Sequence, residues 1–144
     1  MPELAIAALA PATVQAKEAL IRISDLRLRT FIGFNDEEKA KRQDIVINLE
    51  LTYQLHEGIL QDRVSAALDY KLVTKKIIAH VEEGRFLLLE KLASDVLGIC
   101  ASDARVSRAS VSIDKPHALR FADSVSVTLE YTTESDEATE RKAS

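Results

Sequence analysis
The sequence predicts an α+β domain in the order β-β-α-α-β-β, a four-stranded antiparallel sheet with two helices on one face. Three observations predict it. Ile45, Ile47, Leu49, Leu51, Tyr53 and Leu55 occupy every second position, with Val46, Asn48, Glu50, Thr52 and Gln54 between them. That is the period of a strand with one face buried. Val73, Ile77 and Val81 then recur at four, and Phe86, Leu89, Ala93, Val96 and Cys100 at three or four, which is the period of two amphipathic helices. Val111 and Ile113, and later Val125, Val127, Leu129 and Tyr131, return to the period of two.

The elements follow in chain order. Leu20 to Phe34 reads as a first strand broken near Asp25, where Arg22, Arg27 and Arg29 interleave with Ile21, Ile23, Leu26 and Leu28. Asn35 to Arg42 is a charged connector that should be exposed. Gly84 ends the first long helix. Cys100 lies on the apolar stripe of the second, so it reads as a buried core thiol rather than a nucleophile. Pro116 to Asp123 links the last two strands. The opposite sheet face carries Arg27, Arg29, Asn48, Glu50, Thr52, Ser112, Ser126, Thr128 and Glu130. It is either an ordinary wet face or the wall of a lumen made by sheets joined edge to edge. The pattern alone does not choose.

With 144 residues, 47% hydrophobic and 29% charged, the chain suits one globular domain. Residues 1–17 read as an Ala-rich leader, without the basic start of a secretory signal and interrupted by Pro11. Residues 18–131 are the expected folded domain, and 132–144 a polar solvated tail. No apolar run approaches the roughly 20 residues of a membrane span, and the leader's unlikeness to a secretory signal gives the expectation of a cytoplasmic protein. A net charge of −4 gives no nucleic-acid footprint. One cysteine rules out an internal disulfide and a multi-cysteine zinc site. Four glycines, with no G-x-G-x-x-G or G-x-x-x-x-G-K, argue against a phosphate loop. His56, His80 and His117 have no metal-binding spacing: His56 reads as a strand-end residue and His80 as a helix-surface one. His117 follows Lys115-Pro116 in a loop that also holds Arg120. Such a loop is usually solvated, although Arg and His are good phosphate partners.

Five segments, taken together, resemble the dihydroneopterin aldolases. They are Leu26-Arg27-Leu28-Arg29-Thr30-Phe31-Ile32-Gly33-Phe34-Asn35-Asp36-Glu37-Glu38, Arg42-Gln43 before the alternating strand, Ala67-Leu68-Asp69-Tyr70, Gly84-Arg85-Phe86 leading to Leu89-Glu90, and Ile113-Asp114-Lys115-Pro116. The resemblance runs from about Ile21 to Tyr131. Arg42-Gln43-Asp44-Ile45-Val46-Ile47-Asn48, Thr74-Lys75 and His117-Ala118-Leu119-Arg120-Phe121-Ala122-Asp123-Ser124-Val125 resemble the family's triphosphate epimerase branch. Glu37 stands beside Glu38 where aldolases often carry an aromatic residue.

The resemblance implies the tunnelling fold, with four sheets joined into a ring and two rings stacked as a homo-octamer, and with sites between subunits. It implies a small-molecule pterin substrate whose C6=N5 unit is the electron sink, so no cofactor and no metal. Lys115 matches the family's general acid/base lysine. Tyr70 matches a tyrosine contacting the reacting side chain, and Glu38 a carboxylate near the chain hydroxyls. Glu90 matches the pterin anchor, aided by the backbone at Leu89. His117 and Arg120 are the candidate phosphate contacts. The implied activity inverts C2′ of 7,8-dihydroneopterin triphosphate by retro-aldol and aldol steps. One alternative is aldolase activity, releasing glycolaldehyde and 6-hydroxymethyl-7,8-dihydropterin. Another is a non-catalytic pterin-binding ring.

Overall fold
A computed structural model describes residues 17–133. Residues 1–16 of the expected leader and 134–144 of the expected tail lie outside the described residues, and Thr132, expected in the tail, closes the last strand. Strands β1 (Glu18–Ile32), β2 (Gln43–Gln54), β4 (Val106–Pro116) and β5 (Ser124–Thr132) form an antiparallel sheet in the order β1-β2-β4-β5. Helices α3 (Tyr70–Glu83) and α4 (Leu89–Ala101) supply the expected helical pair. Both bury one stripe, Val73, Ile77 and Val81 on α3 and Leu92, Ala93, Val96 and Cys100 on α4. These join Ile45, Ile47, Leu49, Leu51, Val111 and Ile113 in a single core. The period of two thus sends one side of β2 and β4 into the core, and the α+β expectation holds.

The connector Asn35 to Arg42 is exposed but not irregular. It contains a five-residue helix, α1 (Asp36–Ala40), with no buried residue. The stretch after β2 holds a short helix, α2 (Glu57–Leu60), and a 3-10 turn over Val64–Ala66.

Phe86 is not part of the second long helix, as its spacing suggests. It belongs to a two-residue strand, β3 (Arg85–Phe86), parallel to Phe31–Ile32 of β1. Helix α4 begins only at Leu89. The buried Phe86 ring packs against His80, with ring centroids 5.6 Å apart. Its burial therefore comes from tertiary pairing, which local periodicity does not encode.

The break near Asp25 is a register shift between Ile23 and Leu26. Asp25 has φ 55°, and its N–H donates to Oδ1 of Asn48 at 2.9 Å. Asp tolerates this left-handed conformation better than most side chains. Thr30 is fully buried, and its hydroxyl donates to the Val81 carbonyl at 2.6 Å. That bond pins the C-terminal end of α3 to the end of β1. Cys100 is buried, which pushes its thiol up to about 11. It is an inert core thiol, as its stripe position implies.

Among the described residues, β5 has no strand on its outer side, and only β3 covers part of the outer side of β1. No helix in the described residues is long and apolar enough to cross a membrane.

Candidate active site
One end of the sheet gathers the last residues of β1, the first of β2 and the last of β4. Gly33, just after β1, has φ 128°, a conformation that side chains rarely adopt. A Cβ at this position would collide with the carboxyl group of Glu38. The chain then enters α1 through a capping box. Oδ1 of Asn35 accepts from the Glu38 N–H at 2.8 Å, and the Glu38 carboxylate is drawn back towards the Asn35 N–H. This fixes where the carboxylate points.

Lys115, one residue from the end of β4, donates from Nζ to Oε2 of Glu38. The two side chains are 12% and 19% exposed, so the pair is largely shielded from water. The hydrogen bond from Lys115 holds the Glu38 carboxyl below its ordinary range, and burial opposes that shift. The Lys115 charge, the Asn35 N–H and the Gln43 amide lower it further. Gln43 in turn donates from Nε2 to the Ile32 carbonyl. Of the two adjacent acids, Glu38 is therefore the one that meets the lysine, while Glu37 is exposed on the rim. Sequence patterning does not mark Gly33, Asn35 and Gln43 as site residues. The spacing of Asn35 and Glu38, that of a capping box, was the legible signal for one of them.

Glu90 and Leu89 open α4 at this same end. The Gly33 N–H donates to the Phe86 carbonyl at 3.0 Å, and Phe86 leads directly into α4. Glu90 is exposed in the first helical turn, where the helix dipole favours an acid.

Tyr70 is different. It is the first residue of α3, whose last turn is pinned at Thr30. A helix of 14 residues is roughly 20 Å long. The start of α3 shares a recess with Ser102, Asp103 and Arg105, at the far end of α4. One chain therefore brings Glu38 and Lys115 together with the start of α4, and leaves the half-exposed Tyr70 at the opposite end.

His117 follows Pro116 with φ 62°, and its N–H closes the loop on the Asp123 carbonyl at 3.2 Å. It borders a recess of about 300 Å3 beside Glu38 and Gln43. Arg120 lies over the ring of Phe121, 5.5 Å from its centre, on the exposed part of the loop. A recess of about 560 Å3 lies elsewhere, between α3 and α4. The bridge from His80 to Asp95 at 2.8 Å sits on its wall, and neither Glu38 nor Lys115 lines it. Among the described residues, no three His, Cys, Asp or Glu side chains converge as a metal-binding set.

Comparisons with known proteins agree with this fold. The dihydroneopterin aldolase family model matches residues 21–130. A dihydroneopterin triphosphate 2′-epimerase of Escherichia coli is 54% identical over 113 residues, covering 78% of this chain and 94% of that protein. One of Pseudomonas aeruginosa is 49% identical over 111 residues, covering 77% and 90%. The crystal structure of E. coli dihydroneopterin aldolase in complex with neopterin is 26% identical and superposes with a TM-score of 0.73, covering 78% of this chain and 98% of that one. The family model covers most of the sheet, both long helices and the residues Glu38 and Lys115, and on that ground the chain belongs to the dihydroneopterin aldolase family.

Proposed function
We propose that the protein is a dihydroneopterin triphosphate 2′-epimerase. The observation that carries this reading is the shielded Lys115–Glu38 pair, in a chain about half identical to two epimerases. The 2′-hydroxyl proton passes to this pair, directly or through a water. The C1′–C2′ bond breaks and its electrons move onto C1′ and into the C6=N5 unit of the pterin. The 2′ oxygen becomes an aldehyde. That aldehyde stays bound, presents its other face and is attacked again by C1′. The pair returns the proton, and C2′ is inverted. The substrate carries its own electron sink, so the chemistry asks for proton handling and retention rather than a cofactor.

Glu90 anchors the pterin through two parallel hydrogen bonds from the 2-amino group and N3–H, with the backbone at Leu89 alongside. Tyr70 serves the reacting side chain of a neighbouring subunit's substrate. Its distance from Lys115 within one chain supports that arrangement. The open outer edges of β1 and β5 suit pairing between subunits into a ring, and two stacked rings make a homo-octamer. The phosphates leave the corner past His117, with Arg120 further along the loop. We place the enzyme in the cytoplasm.

Incubation with dihydroneopterin triphosphate and with dihydroneopterin, followed by chiral separation of the pterins, tests the reading. Inversion of the triphosphate is expected. The likeness to the neopterin-bound aldolase favours a second, weaker activity, cleavage of dihydroneopterin to glycolaldehyde. Pterin binding without turnover of either compound would instead identify a non-catalytic ring.

A further inference from the structure
We infer that the polar sheet face beside Lys115 carries a built seat for a polyphosphate chain, formed by Arg29 and Arg27 with His117 at its entrance. The inference rests on the epimerase reading for its natural ligand, the triphosphate arm of the substrate. Successive residues of a strand face opposite ways. Lys115 turns towards Glu38 on the helix side, and Pro116 turns to the other face. There Pro116 and His117 border a recess of about 340 Å3 with Arg27, Arg29, Asp44 and Val46. His117 lines this recess and also the one beside Glu38 and Gln43. It sits on the rim between the reacting corner and the sheet face, so an arm leaving Lys115 over His117 meets the arginines.

Their geometry suits an anion. Nε of Arg29 bridges to Oδ1 of Asp44 at 3.1 Å, and Nη2 donates to the Arg42 carbonyl at 3.2 Å. These contacts aim the guanidinium, yet the side chain remains 65% exposed with further N–H groups free to donate. Arg27 stands two residues away on the same face, exposed and with no ion-pair partner among the described residues. Asp44, the acid of this recess, is already balanced by Arg29. Lys41 and Arg42 line the adjoining recess, against the single unpaired acid Glu37. A linear, multiply charged phosphate chain fits this row, and guanidinium forks bind it well. Arg120, turned over Phe121, contributes less.

The test is calorimetric titration of the full chain with inorganic tripolyphosphate, paired with Michaelis constants for dihydroneopterin triphosphate and dihydroneopterin. Arg29→Ala and Arg27→Ala should each weaken tripolyphosphate about tenfold or more. Each should raise the Michaelis constant of the triphosphate by a clearly larger factor than that of dihydroneopterin. Arg120→Ala should do so by less, and high salt should narrow the differences. Arg27→Ala removes no ion pair, so it carries the test if Arg29→Ala fails to fold. Wild-type affinity for tripolyphosphate in both variants, or loss of it only in Arg120→Ala, overturns the seat. A wild type that binds tripolyphosphate through Arg29 yet leaves dihydroneopterin triphosphate unchanged keeps the seat and overturns the epimerase reading.

Discussion

Lys115 and Glu38, 77 residues apart in the chain, meet in one hydrogen-bonded ion pair between the end of β4 and the first turn of α1. The pair lowers the Glu38 carboxyl below its ordinary value of 4.5. A carboxyl whose folded value lies below its unfolded one stabilises the fold at higher pH. That contribution is complete above the unfolded value and disappears as pH falls through the folded one. Thermal unfolding of the wild type and Glu38→Gln should therefore differ most near neutral pH, and the gap should close in acid. Asp95 is lowered in the same direction, chiefly by Lys91, so Asp95→Asn should also lose part of the acid dependence. A gap for Glu38→Gln that stays constant into strong acid would contradict the pairing.

Binding and chemistry should separate at Glu90 and Lys115. If Glu90 anchors the pterin as proposed, Glu90→Ala removes two charge-assisted hydrogen bonds and should weaken pterin binding by roughly 2–4 kcal/mol. Lys115→Ala should lower turnover by about a hundredfold or more and leave pterin affinity much closer to the wild type. Equilibrium titration with a pterin and steady-state rates read the two effects independently. Near-normal turnover in Lys115→Ala would remove it as the proton carrier.

Two glycines should respond in opposite ways to alanine. At Gly33 a methyl group meets the Glu38 carboxyl and the backbone is left-handed, so Gly33→Ala should cost about 1–3 kcal/mol. Its turnover should fall with the displaced Glu38. At Gly98, inside α4, an added Cβ has no neighbour within 4 Å. Gly98→Ala should stabilise by roughly 0.5–1 kcal/mol with turnover unchanged. Denaturant melts and steady-state rates on both variants check this.

If neighbouring subunits complete each site, two inactive variants should rescue one another. Tyr70→Phe and Lys115→Ala, unfolded and refolded together in equal amounts, should leave roughly one site in four with both native residues. Activity should reappear in the mixture and in neither parent. Light scattering on the wild type should give a mass that is a multiple of four subunits. A stable monomer with full activity would contradict the shared site.

The sheet and both long helices were legible because their burial follows the periods of two and about 3.6 over many residues. Ile45 to Leu51 and Val73 to Val81 are clear cases. Phe86 was not legible, since a two-residue strand has no period and owes its pairing to β1. The short helix α1 has no apolar stripe to mark it, and its one mark in the sequence is the capping-box spacing of Asn35 and Glu38. Resemblance singled out Glu38 and Lys115, but only the capping box and the strand register show that Glu38, not Glu37, reaches the lysine. The separation of Tyr70 from that corner follows from the direction of α3, which is set by its packing and by the bond from Thr30 to Val81.

The most direct test of the epimerase account uses dihydroneopterin triphosphate carrying deuterium at C2′. Cleavage and re-formation of C1′–C2′ never break the bond from C2′ to its hydrogen, which rides on the aldehyde. Chiral separation with mass detection should therefore find the 2′ epimer with its deuterium intact and little free aldehyde. Rapid release of the aldehyde and 6-hydroxymethyl-7,8-dihydropterin without any epimer would make the protein an aldolase, and an epimer that had lost its deuterium would contradict the retro-aldol route.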